Sequence, residues 1–229
     1  MDTKISSGSE VIDWLLEGGF DKEVITTIYG PAGSGKTNIC LICASSFKDK
    51  KVIYVDTEGS FSLSRLRQIS DDYKAVLNNV ILLKPTTFAE QKKAFEKLKT
   101  LVHKNTGVII VDSIAMLYRL EMGQTKKVYE VNRQLGMQLS FLTEIARKNN
   151  IPVLITNQVY ADFENKDKVN IVGGDLLKYQ SKCLVELQKC TDGKRAAIVR
   201  KHRSIEENKK VVFVIKNLGL EEVKEEEEK

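Results

Sequence analysis

The stretch that most limits how this chain can fold runs from Glu23 to Lys48. An apolar, β-branched run, "EVITTIYG", leads directly into "GPAGSGKT" and then into the helical pattern "NICLICASSFK". The octapeptide from Gly30 to Thr37 has the form G-x-x-x-x-G-K-[ST]. Glycines in such a turn let backbone N–H groups point inward around an anion. The helix that follows adds its free N–H groups and the positive end of its dipole. A strand before and a helix after are what the motif requires, which sets it apart from a chance glycine-rich turn. Gly30, Gly33, Ser34, Gly35 and Lys36 are therefore candidates to hold phosphates. Lys36 would reach the outer phosphates, and the Thr37 hydroxyl would ligate Mg²⁺.

The rest of the chain repeats the strand–helix alternation. "KVIYVDTEG", "NVILLK", "GVIIVDSI" and "IPVLITNQV" read as buried strands, since their apolar runs are nearly continuous. Between them, "SLSRLRQISDDYKAVL" reads as one helical stretch and "TFAEQKKAFEKLKTLVHK" as an amphipathic helix carrying Phe88, Phe95, Leu98 and Val102 on one face. Val128, Val131, Leu135, Leu139, Leu142, Ile145 and Ala146 trace the apolar stripe of a long helix. After residue 180 the pattern changes to strands joined by short polar turns, "TDG" and "SIEEN", which predicts antiparallel additions to the sheet. The expected fold is α/β: a phosphate-loop core with a mostly parallel sheet flanked by helices and C-terminal antiparallel strands. It would form one domain over residues 1–220, followed by an acidic tail, 221–229, read as a solvated, disordered end.

No apolar run approaches the roughly 18 residues of a membrane span, and the N-terminus lacks a signal-peptide core. A cytosolic protein is expected. Cys40, Cys43, Cys183 and Cys190 read as buried small side chains, because no second ligand pair follows at a zinc-like distance. The net charge is +5, but the last nine residues carry −4, which leaves +9 on the other 220. A basic body is compatible with a polyanionic partner, with which the tail could compete.

Three further polar residues stand at strand ends. Asp112 closes "GVIIVDS", where a carboxylate beside the phosphate loop can hold the Mg²⁺ shell; its alternative is a helix cap. Glu58, in "YVDTEG", could accept a proton from an attacking water or orient it. Gln158, in "ITNQV", could sense a γ-phosphate through its amide. For both, purely structural hydrogen bonding is an equal alternative.

Together, "SSGSEVIDWLLEGGF", "GPAGSGKT", "YVDTEGSF", "IIVDS" and "ITNQV" resemble the RecA/RadA recombinase superfamily in order and spacing, over nearly the whole chain. Within it the chain looks most like the short archaeal paralogues of the recombinase. The resemblance implies ATP and Mg²⁺ as cofactors, Glu58 as the water-activating residue and Gln158 as the link between γ-phosphate and DNA. It implies two DNA loops: one near Arg119 to Lys127, with Lys126 and Lys127, and one after Gln158, with Lys166 and Lys168. The second also holds Asp162, Glu164 and Asp167, a poor electrostatic match to phosphate. Relatives often read "FRPER" where this chain has "FSLSR": the resemblance implies Arg65 as a nucleotide-binding residue, whereas Ser62 replaces an arginine associated with adenine stacking.

Full-length recombinases precede this core with a helical domain and a polymerising linker. Neither is expected here, so a homo-oligomer is possible but a stable filament is not implied. Lys201 and Arg203 in "RKHRS" resemble a pair that reaches a neighbour's γ-phosphate in KaiC-like members; a DNA patch and a solvated strand end are the alternatives. Two functional classes follow. One is an ATP-binding, DNA-binding accessory of recombination and repair, weak in hydrolysis, assisting the main recombinase or other repair and replication proteins. The other is an active oligomeric DNA-dependent ATPase of RecA-like or KaiC-like type. A small-molecule kinase lacks support from any lid or acceptor motif.

Overall fold

The computed structural model of the chain describes residues 3–124, 126–161 and 169–223. Short strands β1 (Lys4–Ile5) and β2 (Phe20–Asp21) pair with each other around α1 (Glu10–Leu15). The core follows as β3 (Ile25–Gly30), α2 (Lys36–Ser46), β4 (Lys51–Asp56), α3 (Leu63–Ile69), α4 (Tyr73–Asn79), β5 (Val80–Leu83), α5 (Phe88–Leu101), β6 (Thr106–Asp112), α6 (Met116–Gln124), α7 (Val128–Asn149) and β7 (Val153–Ala161). The C-terminal part comprises β8 (Val169–Ile171), α8 (Gly174–Gln180), β9 (Cys183–Lys189), β10 (Arg195–Lys201), β11 (Lys210–Lys216) and β12 (Gly219–Glu222).

The main sheet runs β12-β11-β10-β9-β3-β7-β6-β4-β5, with β8 beside β7. From β9 to β5 every neighbouring pair is parallel; β10, β11 and β12 add antiparallel hairpins. The expected fold class is what forms. Two apolar layers cover the sheet. One lies under α5 and α7 around Phe95, Leu135 and Leu142, the other under α1 and α2 around Phe20, Ile39 and Tyr54. The "TDG" turn closes the β9–β10 hairpin with Asp192 and Gly193 both at positive φ, 56° and 71°, as a tight hairpin turn demands.

Several details depart from the sequence reading. The stretch read as one helix splits into α3 and α4, because Ser70 is extended and the Asp72 side chain accepts from Ala75 N to start a new helix. Helices α6 and α8 form where no helix was expected. Val128 opens α7 but is exposed, and the apolar stripe begins at Val131. Cys40, Cys43 and Cys183 are buried, whereas Cys190 is exposed at the hairpin tip, just past the sheet. Strand β12 runs on through Glu221 and Glu222, two residues into the stretch read as a tail. Among the described residues no helix is long and apolar enough to cross a membrane.

Candidate functional site

Parallel pairing decides where the polar residues emerge. Gly30 lies opposite Gln158 between β3 and β7, and Asp56 lies opposite Asp112 between β4 and β6. The phosphate loop, Gln158, Asp112 and the turn bearing Glu58 therefore leave the sheet at one edge, the carboxyl edge where α/β sheets bind ligands.

The loop between β3 and α2 depends on its glycines. Gly33 and Gly35 sit at φ 74° and 108°, in the left-handed region. At Gly30 a Cβ would come within 2.4 Å of the Leu187 carbonyl oxygen. Gly35 caps α2 without any side-chain acceptor, so the first amides of α2 face the loop unfilled. Lys36 Nζ donates to the Gly30 and Pro31 carbonyls, each at 2.9 Å. Burial lowers the Lys36 pKa, and the Glu58 and Asp112 carboxylates oppose that shift. The Ser34 hydroxyl is buried with no partner among the described residues. A helix start with no side-chain cap and an orphaned hydroxyl beside a lysine fit an anionic phosphate chain. Thr37, half-buried at the start of α2, and Asp112 supply the hard oxygen donors that suit Mg²⁺.

Asp112 is 2% exposed, and three hydroxyls hold it. Tyr54 and Ser60 each donate to Oδ2 at 3.0 Å, and Thr156 donates to Oδ1. One step along the chain, Thr57 Oγ1 donates to Ser113 O and accepts from Ser113 N, locking β4 to β6. Asp56 accepts from the backbone N–H groups of Ser60 and Phe61 at 3.0 and 3.1 Å, which folds the turn bearing Glu58. At its tip, Gln158 Nε2 donates to Glu58 Oε1 at 3.0 Å. The two residues singled out separately in the sequence thus touch each other across the mouth of the loop.

A family model described as Rad51 matches residues 2–223. The chain belongs to the Rad51 family. It is 43% identical over 210 residues to the DNA repair and recombination protein RadB of Methanocaldococcus jannaschii, covering 90% of this chain and 97% of the relative. It is 39% identical over 218 residues to the protein of that name from Methanobrevibacter smithii, covering 91% and 92%. The crystal structure of the RadB recombinase matches it with a TM-score of 0.82 at 36% identity, over 96% of this chain and 99% of that one.

Not every residue that family resemblance brought forward stands free at the site. Arg65 donates to Asn38 of α2 at 2.7 Å, to Gln68, and to the Lys216 and Asn217 carbonyls of the β11–β12 turn. It fastens α3 to the helix that follows the phosphate loop. Ser62 caps α3 by accepting from Arg65 N, so this departure from relatives has a local structural use. Arg119 lies in α6, not in a loop, because Leu117 and Tyr118 bury against the core and Tyr118 donates to Asn132 of α7. It is exposed, as are Lys126 and Lys127 at the α6–α7 junction, where Tyr129 is also 80% exposed. Lys166 and Lys168 lie outside the described residues.

Lys201 and Arg203 lie at the opposite edge of the sheet, since β10 runs antiparallel to β9. Lys201 Nζ donates to the Lys178 and Ser181 carbonyls at the end of α8. Arg203 lies 3.4 Å from the buried Asp21 carboxylate. Tyr54, Asp56, Thr57, Ser60 and Thr156 were missed in the sequence. For Asp56, Thr57 and Ser60 the signal was their place beside Glu58. For Tyr54 it was alternation, two residues before the end of β4, and for Thr156 only its place two residues before Gln158.

Proposed function

We propose that the chain binds ATP with Mg²⁺ at Gly30–Thr37 and uses the γ-phosphate to set its affinity for DNA. It would serve as an accessory of homologous recombination and repair beside the main recombinase or other repair and replication proteins. The observation that carries this is the Gln158–Glu58 contact at 3.0 Å. Gln158 directly precedes the part of β7 that pairs with β8, and both legs of that ribbon are pinned there. Val172 N donates to Gln158 O, and Asn157 Nδ2 donates to Val172 O. When bound, the nucleotide supplies a γ-phosphate whose charge competes with Glu58 for the Gln158 amide. A Gln158 amide released from Glu58 moves the base of the ribbon, and Glu58 is then free to orient or deprotonate water.

Support for the DNA surface is the exposure of Arg119 on α6 and of Lys126, Lys127 and Tyr129 at the α6–α7 junction. Cations with an exposed ring suit a polyanion that also offers bases to stack on. The rival reading, an active oligomeric ATPase, draws on the exposed Glu58. Its trans residues Lys201 and Arg203 are tied to groups of their own chain, which favours the accessory role. The test is Gln158→Ala: ATP binding persists, while the effect of ATP on DNA affinity disappears. Persistence of the full effect in that variant removes the switch from Gln158.

A further inference from the structure

The β9–β10 hairpin brings two cations against the phosphate loop that the nucleotide reading has not used. Arg195, at the start of β10, donates from Nε to Gly33 O at 3.3 Å and from its terminal nitrogen to Gly193 O at 2.6 Å. It fastens hairpin to loop. Lys189, at the end of β9, is different. A Cβ built on Gly33 would stand 3.2 Å from its Nζ and 3.3 Å from its Cε, so the ammonium lies close against the loop at Gly33. Its stem is held by β9, whose Leu187 carbonyl sits close against Gly30. Among the described residues the Lys189 ammonium has no hydrogen bond and no ion pair.

Three cations, Lys36, Lys189 and Arg195, therefore gather on one octapeptide. The first two repel, a contribution that acts on the Lys36 ammonium together with its burial. The Glu58 and Asp112 carboxylates offset part of this charge at Lys36, and like charges gathered on one loop favour an anion that joins them. Lys36 and Arg195 have carbonyl acceptors in this arrangement; among the described residues Lys189 has none, and it is exposed beside the loop.

We propose that Lys189 is a second phosphate-binding cation of the nucleotide site, reaching the phosphate chain from the β9–β10 hairpin of the same protomer. The inference rests on the reading of Gly30–Thr37 as an ATP site. An ammonium acts on a phosphate chain as a point charge with three donors, so its effect grows with the number of phosphates.

The experiment is calorimetric titration of the full chain with ATP, ADP and AMP in the presence of Mg²⁺, with the nucleotide-free thermal midpoint recorded for each variant. Lys189→Ala is expected to weaken ATP binding about five- to tenfold, ADP less, and AMP by under about twofold, with an unchanged nucleotide-free midpoint. Lys189→Arg should keep ATP affinity within about threefold of the parent. Lys182→Ala, an exposed lysine near the other edge of the sheet, should change nothing. An unchanged ATP affinity in Lys189→Ala, or an equal loss for AMP and ATP, overturns the proposal while leaving the nucleotide site standing. A parent chain that binds no nucleotide overturns both.

Discussion

Tyr54→Phe isolates one strut of the Asp112 site. Tyr54 is fully buried in β4, and its hydroxyl donates to Asp112 Oδ2 at 3.0 Å. Burial, the largest influence, pushes the Tyr54 phenol well above its ordinary pKa, so it remains a donor at any working pH. Phenylalanine keeps the ring and its edge-to-face contact with Phe61, at 5.0 Å between centroids, so no large cavity forms. What is lost is one hydrogen bond to a buried carboxylate that keeps its Ser60 and Thr156 donors. A bond to a charged group is worth about 1.5–3 kcal/mol, which for a chain of this size lowers the thermal midpoint by roughly 3–12 °C. Urea unfolding of Tyr54→Phe, Asp112→Asn and the double variant closes a cycle. Its coupling energy is expected at about 1–2 kcal/mol, since the Asn carbonyl still accepts weakly. A Tyr54→Phe penalty below about 0.5 kcal/mol, or no coupling, would refute the view that hydroxyls hold Asp112 in place.

Other consequences follow from single side chains. His202 Nδ1 accepts from Ser204 N and Ile205 N, so Nε2 carries the proton and donates to Asp21 at 3.0 Å; this is a bond from a neutral ring, not an ion pair. Burial lowers the His202 pKa, and Asp21 only partly opposes it. The unfolded state then takes up its proton first, at about pH 6.5, so stability is complete above that pH and falls as pH drops toward the lower folded value. The slope in that window is at most about 1.4 kcal/mol per pH unit. Unfolding curves of His202→Gln should lose this slope, and a variant as pH-dependent as its parent would contradict the assignment. Of the four thiols, Cys190 alone should react quickly with a thiol reagent, read by intact mass. Burial pushes Cys183 up to about 12 and shields Cys40 and Cys43. Leu135→Ala, at a fully buried position of α7, should cost about 2–5 kcal/mol in urea unfolding; a smaller loss would mean that the α7 layer is loosely packed.

Much of the core was legible because its signals are local. Continuous apolar runs mark β3, β4, β6 and β7, and the glycine octapeptide needs only a strand before it and a helix after it. Asp112 could be placed because it directly ends one of those runs. What stayed hidden depends on which strands become neighbours. Thr156 reaches Asp112 only because β7 lies beside β6, and Lys189 reaches Gly33 only because β9 lies beside β3. No period in either segment carries that information. Helix α6 was missed for another reason. Its glycine, Gly123, and its short apolar stretch look like a loop until Tyr118 finds Asn132 and Phe88 in the fold. The separate readings of Glu58 and Gln158 were level from sequence alone; their contact makes them one device.

The central claim is that nucleotide at the loop sets DNA affinity. It is tested most directly by fluorescence anisotropy of labelled single- and double-stranded oligonucleotides against the full chain. The titrations are run with and without a non-hydrolysable ATP analogue and Mg²⁺, across a salt series. The account predicts a change in Kd of at least about fivefold on adding the analogue, with the reciprocal change in analogue affinity when DNA is present. It also predicts a clear loss of DNA affinity with rising salt from phosphate contacts. Equal affinity with and without nucleotide, at every salt concentration, would contradict it.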